Sequence, residues 1–378
     1  MKALPANEFI IKLASRCNLN CDYCYEYNLG DASWRTQPAF MSLETASKVA
    51  DRIAHHALTH SLPHITIAFH GGEPMLAGPE RIASVAKIFR QRLGPITSLH
   101  ISMQSNATLV NDDILGVLEK YEIAVGVSID GPREANDLHR KDHYGNSSFE
   151  ATVSGIGALK RRGLLHGLLS VIDVRNDPLL CFDFIASFGV EQIDFILPHH
   201  NWVRPPFRPE SYSSPAYGEW LATIWRAWIG GRHPHAKIRY LEHIIRLLVG
   251  APGLFEGLGL EPVQLLVLAA DGSIEGVDTL KSCGDGQQRM ELSIIDSPID
   301  SVLSHDQYLH RQLGHLSLSP KCQECPELEV CGGGYLPHRY KGCSSFVAPS
   351  VYCDDILYLI RTIRNDILVR ANKNKVLG

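Results

Sequence analysis

From residue 6 to about residue 230, short apolar, β-branched runs alternate with amphipathic segments of helical period. A chain satisfies that alternation by laying crossover helices against parallel strands, which makes the fold class α/β. The strands read as Phe9 to Leu13, Ile65 to Phe69, Leu99 to Met103, Ile123 to Ile129, Leu168 to Val174 and Ile193 to Leu197. Helical patterns follow Ser42, Pro79, Asn111 and Ser147 and run from Pro178 to Phe188. Six such units make a partial (β/α)6 barrel. Parallel barrels carry their chemistry at the carboxyl ends of the strands, so the residues just after each strand are the ones to inspect.

The first strand runs into Cys17, Cys21 and Cys24, a C-x3-C-x2-C run with Tyr23 before the third cysteine. Three thiolates on one tight loop can hold three irons of a 4Fe-4S cluster and leave the fourth iron open, which implies chemistry. A zinc loop is the competing reading, although zinc knuckles bring C-x2-C pairs that close to four ligands and leave Tyr23 unexplained. The spacing and the aromatic resemble the radical S-adenosylmethionine (SAM) enzymes. That resemblance implies SAM chelated on the open iron and cleaved by one electron to a 5'-deoxyadenosyl radical, with a donor such as flavodoxin or ferredoxin. The hard chemistry then belongs to the cofactor and positioning to the protein.

The second strand ends in His70-Gly71-Gly72-Glu73-Pro74, a match to the GGEP motif of that family, where the glycine turn and the Glu meet the SAM amino group. Glycine permits the close backbone approach this needs. Ser105 and Asn106 close the third strand, Ser128 the fourth, and Arg140 follows in Asn136-Asp137-Leu138-His139-Arg140. They look like the family's ribose and carboxylate contacts, pairings that also make chemical sense. Asn106 and Asp130 have an alternative use as turn formers. His199, His200, Asn201 and Trp202 follow the last strand, either as substrate contacts or as a solvated loop. The Tyr217, Trp220, Ile224, Trp225, Trp228 stripe reads as core, and Cys181 as a small buried apolar residue.

The end of the chain carries a second array: Cys283, Cys322, Cys325, Cys331, Cys343 and Cys353. The C-x2-C-x5-C run with a distant last cysteine resembles the SPASM extension of radical SAM enzymes, which implies an auxiliary 4Fe-4S cluster on Cys322, Cys325, Cys331 and Cys353. A complete ligand set suits electron transfer. The family's further cysteines are missing, because Tyr335 stands four positions after Cys331 and Val263 to Ala270 has none. Two clusters in total are therefore expected, with residues 1–230 as the barrel, 231–262 as a helical connector and 263–378 as the SPASM domain.

The runs Val267 to Lys281 and Cys331 to Tyr340, with Pro349 to Cys353, look like the SPASM maturases that build cyclophanes on ribosomally made precursor peptides. In that group an aromatic ring carbon is joined to the β-carbon of a residue two positions later. Asp271, Asp278 and His338 are candidates for the proton acceptor, with Asp271-Gly272 equally good as a hairpin turn. The alternatives are a thioether-forming maturase and a sulfatase maturase that makes formylglycine. Against the latter stands Gly284, where that family has an acid directly after the cysteine matching Cys283. The distant rival is a zinc-binding interaction protein. No leader-binding domain stands before residue 6, so the leader is expected to dock on the barrel, the SPASM surface or a separate protein.

A net charge of -5 gives no footprint for nucleic acid, and no apolar stretch is long enough for a membrane span. The start MKALPANEFIIKL has no signal-peptide core, so a cytoplasmic location is expected, and ten cysteines in such a chain point to metal or redox work.

Overall fold

The computed structural model describes residues 3–209, 215–343 and 345–376, with side chains of the last helix described as far as residue 372. The chain divides into two compact units, the first made of residues up to 129 with 136–168 and 262–312, the second of 130–135, 169–261 and the remainder from 313.

In the first unit β1 (Glu8–Ala14), β2 (His64–Gly71), β3 (Ser98–Ser105) and β4 (Ile123–Ser128) pair in parallel, each with the next. Helices Leu43–Thr59, Gly78–Leu93 and Asp112–Lys120 make the crossovers. The first starts where Ser42 accepts the Thr45 N–H and buries Ala46, Val49, Ala50 and Ile53 at three- and four-residue spacing. Phe9, Ile11, Leu13, Ile65, Ile67, Phe69, Ile101 and Met103 are buried at every second strand position, which fixes the register. β5 (Leu165–Val171) begins in this unit and ends in the second, where β6 (Gln192–Ile196) pairs in parallel with β7 (Lys237–Ile238). β5 starts three residues before the expected Leu168 and stops at Val171, short of the expected Val174, because the chain turns at Asp173, whose carboxylate and carbonyl accept the N–H groups of Arg175 and Asn176.

Four strands lie beyond the expected six: the short β7 in the second unit and three more in the first. β8 (Leu265–Leu268) adds in parallel to the free side of β1, and β9 (Ser273–Glu275) and β10 (Arg289–Ser293) follow as antiparallel neighbours. They bring residues 271–283 to the first unit.

In the second unit, helices Ala216–Ile229 and Cys353–Val376 pack closely: a Cβ at Gly218 would lie 2.4 Å from the Asp355 carbonyl oxygen. Tyr217, Trp220, Ile224 and Trp225 are buried, with Trp228 half-buried, as the core reading requires, and Cys181 is buried as well. No helix among the described residues is long and apolar enough to cross a membrane.

Candidate active site

The loop after β1 folds back on itself. The Cys24 N–H donates to the Cys21 carbonyl at 3.0 Å, Asn28 N–H donates to Cys24 carbonyl at 2.8 Å, and the Asn28 side chain reaches the Cys21 carbonyl at 2.8 Å. The Leu19 N–H points at the Cys17 sulfur at 3.4 Å. Burial, and then the neighbouring Glu73 and Cys21, push the Cys17 thiol up to about 12, and burial with Cys21 and Cys17 nearby raises Cys24 as well. Three mutually interacting soft donors fit an iron-sulfur cluster, whose iron must displace their protons. Among the described residues, which include all ten cysteines, none is in a disulfide.

The Gly-Gly turn serves this loop directly. Gly72 N–H donates to the Ala14 carbonyl and Glu73 N–H to the Arg16 carbonyl, both at 3.0 Å. A Cβ on Gly71, whose φ is +150°, would sit 2.1 Å from the Ala14 oxygen, and one on Gly72 would sit 1.9 Å from the Tyr27 hydroxyl and 2.4 Å from the Arg16 oxygen. The glycines thus let two strand ends touch, a packing need beside the ligand need read from the motif. Glu73 is buried and its oxygens accept from Met75 N–H, Ser105 Oγ and Asn106 N–H at 2.8–3.0 Å, so it locks the end of β3 to the end of β2. Burial raises its pKa.

Asn106 stands over the cysteine loop, its amide 3.9 Å from the Cys17 sulfur and 3.0 Å from the Asn18 side-chain oxygen. Arg140 is buried and donates to the Tyr23 hydroxyl at 2.8 Å. Ser128, half-buried, accepts from Gln104 at 2.9 Å. Tyr23, Gly71, Gly72, Glu73, Ser105, Asn106, Ser128 and Arg140 therefore share the first unit with the three cysteines.

One feature of the site escaped the sequence reading. Lys12, an inward lysine in the apolar run Phe9 to Leu13, is buried and ion-paired with Glu26 and, at 2.5 Å, with Asp278. Lys281 pairs with Glu26 at 2.8 Å and Glu275 at 3.4 Å. Tyr25, next to Cys24, donates to Asp278 at 3.1 Å. Burial works against the Asp278 charge, yet Lys12 holds its carboxyl well below the usual range. Burial likewise works against Lys12, but Asp278 and Glu26 outweigh it and raise its pKa. His70 is pulled down to about 4 by burial and by Lys12, so it is neutral. The signal in the sequence was Lys12 itself, since an unpaired lysine in a buried strand is not tolerated.

The other two proton-acceptor candidates lie elsewhere. Asp271 is exposed and caps its own turn, accepting from Ser273 N–H at 2.8 Å and from Gln37 at 2.8 Å. His338 belongs to the second unit, buried against Tyr352, Tyr335 and His199 with ring centroids 4.9, 5.5 and 5.9 Å away. Asp130 is buried and accepts the N–H of Val171, far along the chain, at 3.1 Å, a long-range tie rather than a local turn. Asn201 shapes its own turn, accepting the Val203 and Arg204 N–H groups, and Trp202 is anchored by its indole on the Pro349 carbonyl at 2.7 Å.

Cys322, Cys325, Cys331 and Cys353 also lie in the second unit, and the last two interact electrostatically with the others. Burial, then Cys353, pushes Cys331 up to about 12. The four fit the proposed auxiliary cluster as a complete thiolate set. Cys343, exposed at φ +49°, is also in this unit, whereas Cys283 is buried in the first. Changing either Cys283 or Cys343 to Ser is expected to leave iron content unchanged; a loss of about four irons in either variant would establish a third cluster.

Comparison with known proteins gives the same site a context. A model described as the radical SAM superfamily matches residues 11–177. A cysteine-type anaerobic sulfatase-maturating enzyme from Clostridium perfringens is 30% identical over 361 residues, covering 93% of this chain and 94% of the relative. The solved structure described as native anSMEcpe with bound AdoMet superposes with a TM-score of 0.82 at 21% identity, over 97% of this chain and 99% of that one. Streptococcus suis SuiB bound to its precursor peptide SuiA superposes at 0.61 with 13% identity, over 92% and 76%.

Proposed function

The chain belongs to the radical SAM superfamily, in the family that includes the anaerobic sulfatase-maturating enzymes, and on that premise we propose that it oxidises the β-carbon of a Cys or Ser side chain to formylglycine. Its substrates are peptides or proteins, and its cofactors are SAM and a 4Fe-4S cluster. Bound together, those cofactors supply a 5'-deoxyadenosyl radical that takes a hydrogen from carbon.

The chain's own part begins with Cys17, Cys21 and Cys24 as cluster ligands. Arg140 offers its guanidinium to the SAM carboxylate, and Ser128 with Asn106 bounds the ribose side. The observation that carries the formylglycine reading is the 30% identity to a cysteine-type sulfatase-maturating enzyme over 93% of the chain; Asp278, hydrogen-bonded by Tyr25 and held by Lys12 beside the cysteine loop, is the proton acceptor this reading uses. It would accept the substrate's thiol or hydroxyl proton as the β-carbon loses its hydrogen and an electron, which gives the aldehyde directly from Ser and, from Cys, a thioaldehyde that water hydrolyses with release of hydrogen sulfide. The missing acid at Gly284 thus ceases to count against this chemistry, because an acid reaches the site five residues before Cys283. Cys322, Cys325, Cys331 and Cys353 would hold the cluster that receives the electron. Iron-sulfur clusters and ten cysteines outside any disulfide suit a cytoplasmic setting.

A cyclophane crosslink on a precursor peptide is the second reading, favoured by the Val267 to Lys281 and Cys331 to Tyr340 runs. It shares the β-hydrogen step and gives Asp278 a ring proton instead. Anaerobic assays of the holoenzyme with β-deuterated peptides separate the two. Deuterium in 5'-deoxyadenosine is expected in both. An aldehyde captured by a hydrazide from a Cys or Ser peptide supports formylglycine; loss of two hydrogens from a cysteine-free aromatic peptide, with fragmentation blocked between the linked residues, supports the crosslink. Absence of deuterium from 5'-deoxyadenosine, with both β-deuteriums kept in the product, removes both.

A further inference from the structure

Away from the cysteine loop, the first unit holds a cluster that the function above does not use. His56 and His60 stand four residues apart at the carboxyl end of the helix Leu43–Thr59, His60 being its capping residue. Asp300 faces them from the 3-10 turn Ile299–Ser304. One ligand atom from each of the three lies within 4.8 Å of the other two.

The hydrogen bonds decide what this cluster needs. His56 is buried, and its Nε2 lies 2.9 Å from the Ala6 carbonyl oxygen. A carbonyl only accepts, so Nε2 carries the hydrogen, which leaves Nδ1 to bind a proton or another cation. That Nδ1 faces the Asp300 Oδ1, itself an acceptor. Two acceptors brought together require a cation between them. A proton on Nδ1 would satisfy this pair, and a His60 ring with its hydrogen on Nε2 would donate to Asp300 Oδ2 at 3.1 Å, so the metal-free cluster is an ion pair and a hydrogen bond.

A metal ion engages all three. At metal–ligand distances of about 2.0–2.1 Å, tetrahedral zinc sets its ligand atoms about 3.3 Å apart, close to the His60 to Asp300 separation. A ligating histidine typically donates its other ring N–H to a carbonyl, the relation between His56 and Ala6. The helix carboxyl end adds its negative dipole, and the edge-on Phe9 ring, 6.2 Å from the His56 ring, walls the site on an apolar side. Two imidazoles and one carboxylate select borderline divalent ions over calcium or magnesium. We propose that His56, His60 and Asp300 bind a first-row divalent transition metal, zinc in the first instance, with water at the remaining position. The ion would clamp the helix end to the 3-10 turn.

Zinc sulfate added to the reconstituted holoenzyme, followed by gel filtration and metal analysis, tests this. The wild type is expected to retain one zinc per chain with its iron unchanged, and to melt a few degrees higher until a chelator reverses the rise. His60→Ala and Asp300→Asn should lose both the zinc and the rise while keeping the iron. If a variant fails to fold, anomalous scattering at the zinc edge from wild-type crystals decides, with a peak expected between the three side chains. No zinc in the wild type, equal zinc in the variants, zinc gained at the expense of iron, or an anomalous peak only at cysteines would each overturn the site and leave a His56–Asp300 ion pair.

Discussion

With Cys17, Cys21 and Cys24 all replaced by Ala, the chain is expected to lose SAM cleavage altogether while keeping about four irons on Cys322, Cys325, Cys331 and Cys353. The two cysteine groups belong to different compact units, so removing one ligand set leaves the other's loops built. The loop around Cys17 to Asn28 loses the Leu19 N–H contact to the Cys17 sulfur in the variant but keeps the turns from Cys21 to Asn28, which run through carbonyls and the Asn28 side chain. Iron analysis and detection of 5'-deoxyadenosine after anaerobic reconstitution read both results. Loss of all iron would remove the proposed auxiliary site, and surviving cleavage would remove the role of the loop.

The parallel strands were legible because their apolar alternation is a local consequence of burial. The boundary of β5 was not, since hydrogen bonds at Asp173 end it while the apolar run continues through Ile172 and Val174. The cysteine spacing announced itself, as thiolates are confined to one loop whatever surrounds them. Lys12 and Asp278 are 266 residues apart, and no local pattern connects them; only the addition of β8 beside β1 brings the second to the first. The same holds for His56 and Asp300. Glu73 has a structural use that its motif did not announce, since its oxygens accept from Ser105, Asn106 and Met75. For Asp271 the structure shows the hairpin use that the sequence allowed beside the acid, because an Asp-Gly pair that caps its own turn looks identical in sequence to an acid aimed at a site.

Asp278→Asn is expected to cut peptide modification by roughly 10²–10⁴ while cleavage of SAM continues uncoupled from product. Asn keeps the Tyr25 contact as an acceptor but cannot take a proton, so the loss should fall on the substrate step. Stability should fall too, by about 3–5 kcal/mol, because Lys12 then shares Glu26 with Lys281 and lacks its second carboxylate. The sign of the pH dependence follows from the depressed folded pKa of Asp278: its contribution is fully present above the unfolded carboxylate value of about 4 and is lost as pH falls through the lower folded value. The wild-type and variant melting temperatures should therefore run parallel from pH 5 upward and converge only in acid. Asp278→Glu, which restores the charge, should recover stability more than activity, since the longer side chain moves the carboxylate relative to the substrate. Product formed by Asp278→Asn at the wild-type rate would make the Lys12–Asp278 pair purely structural and would pass the proton to another group.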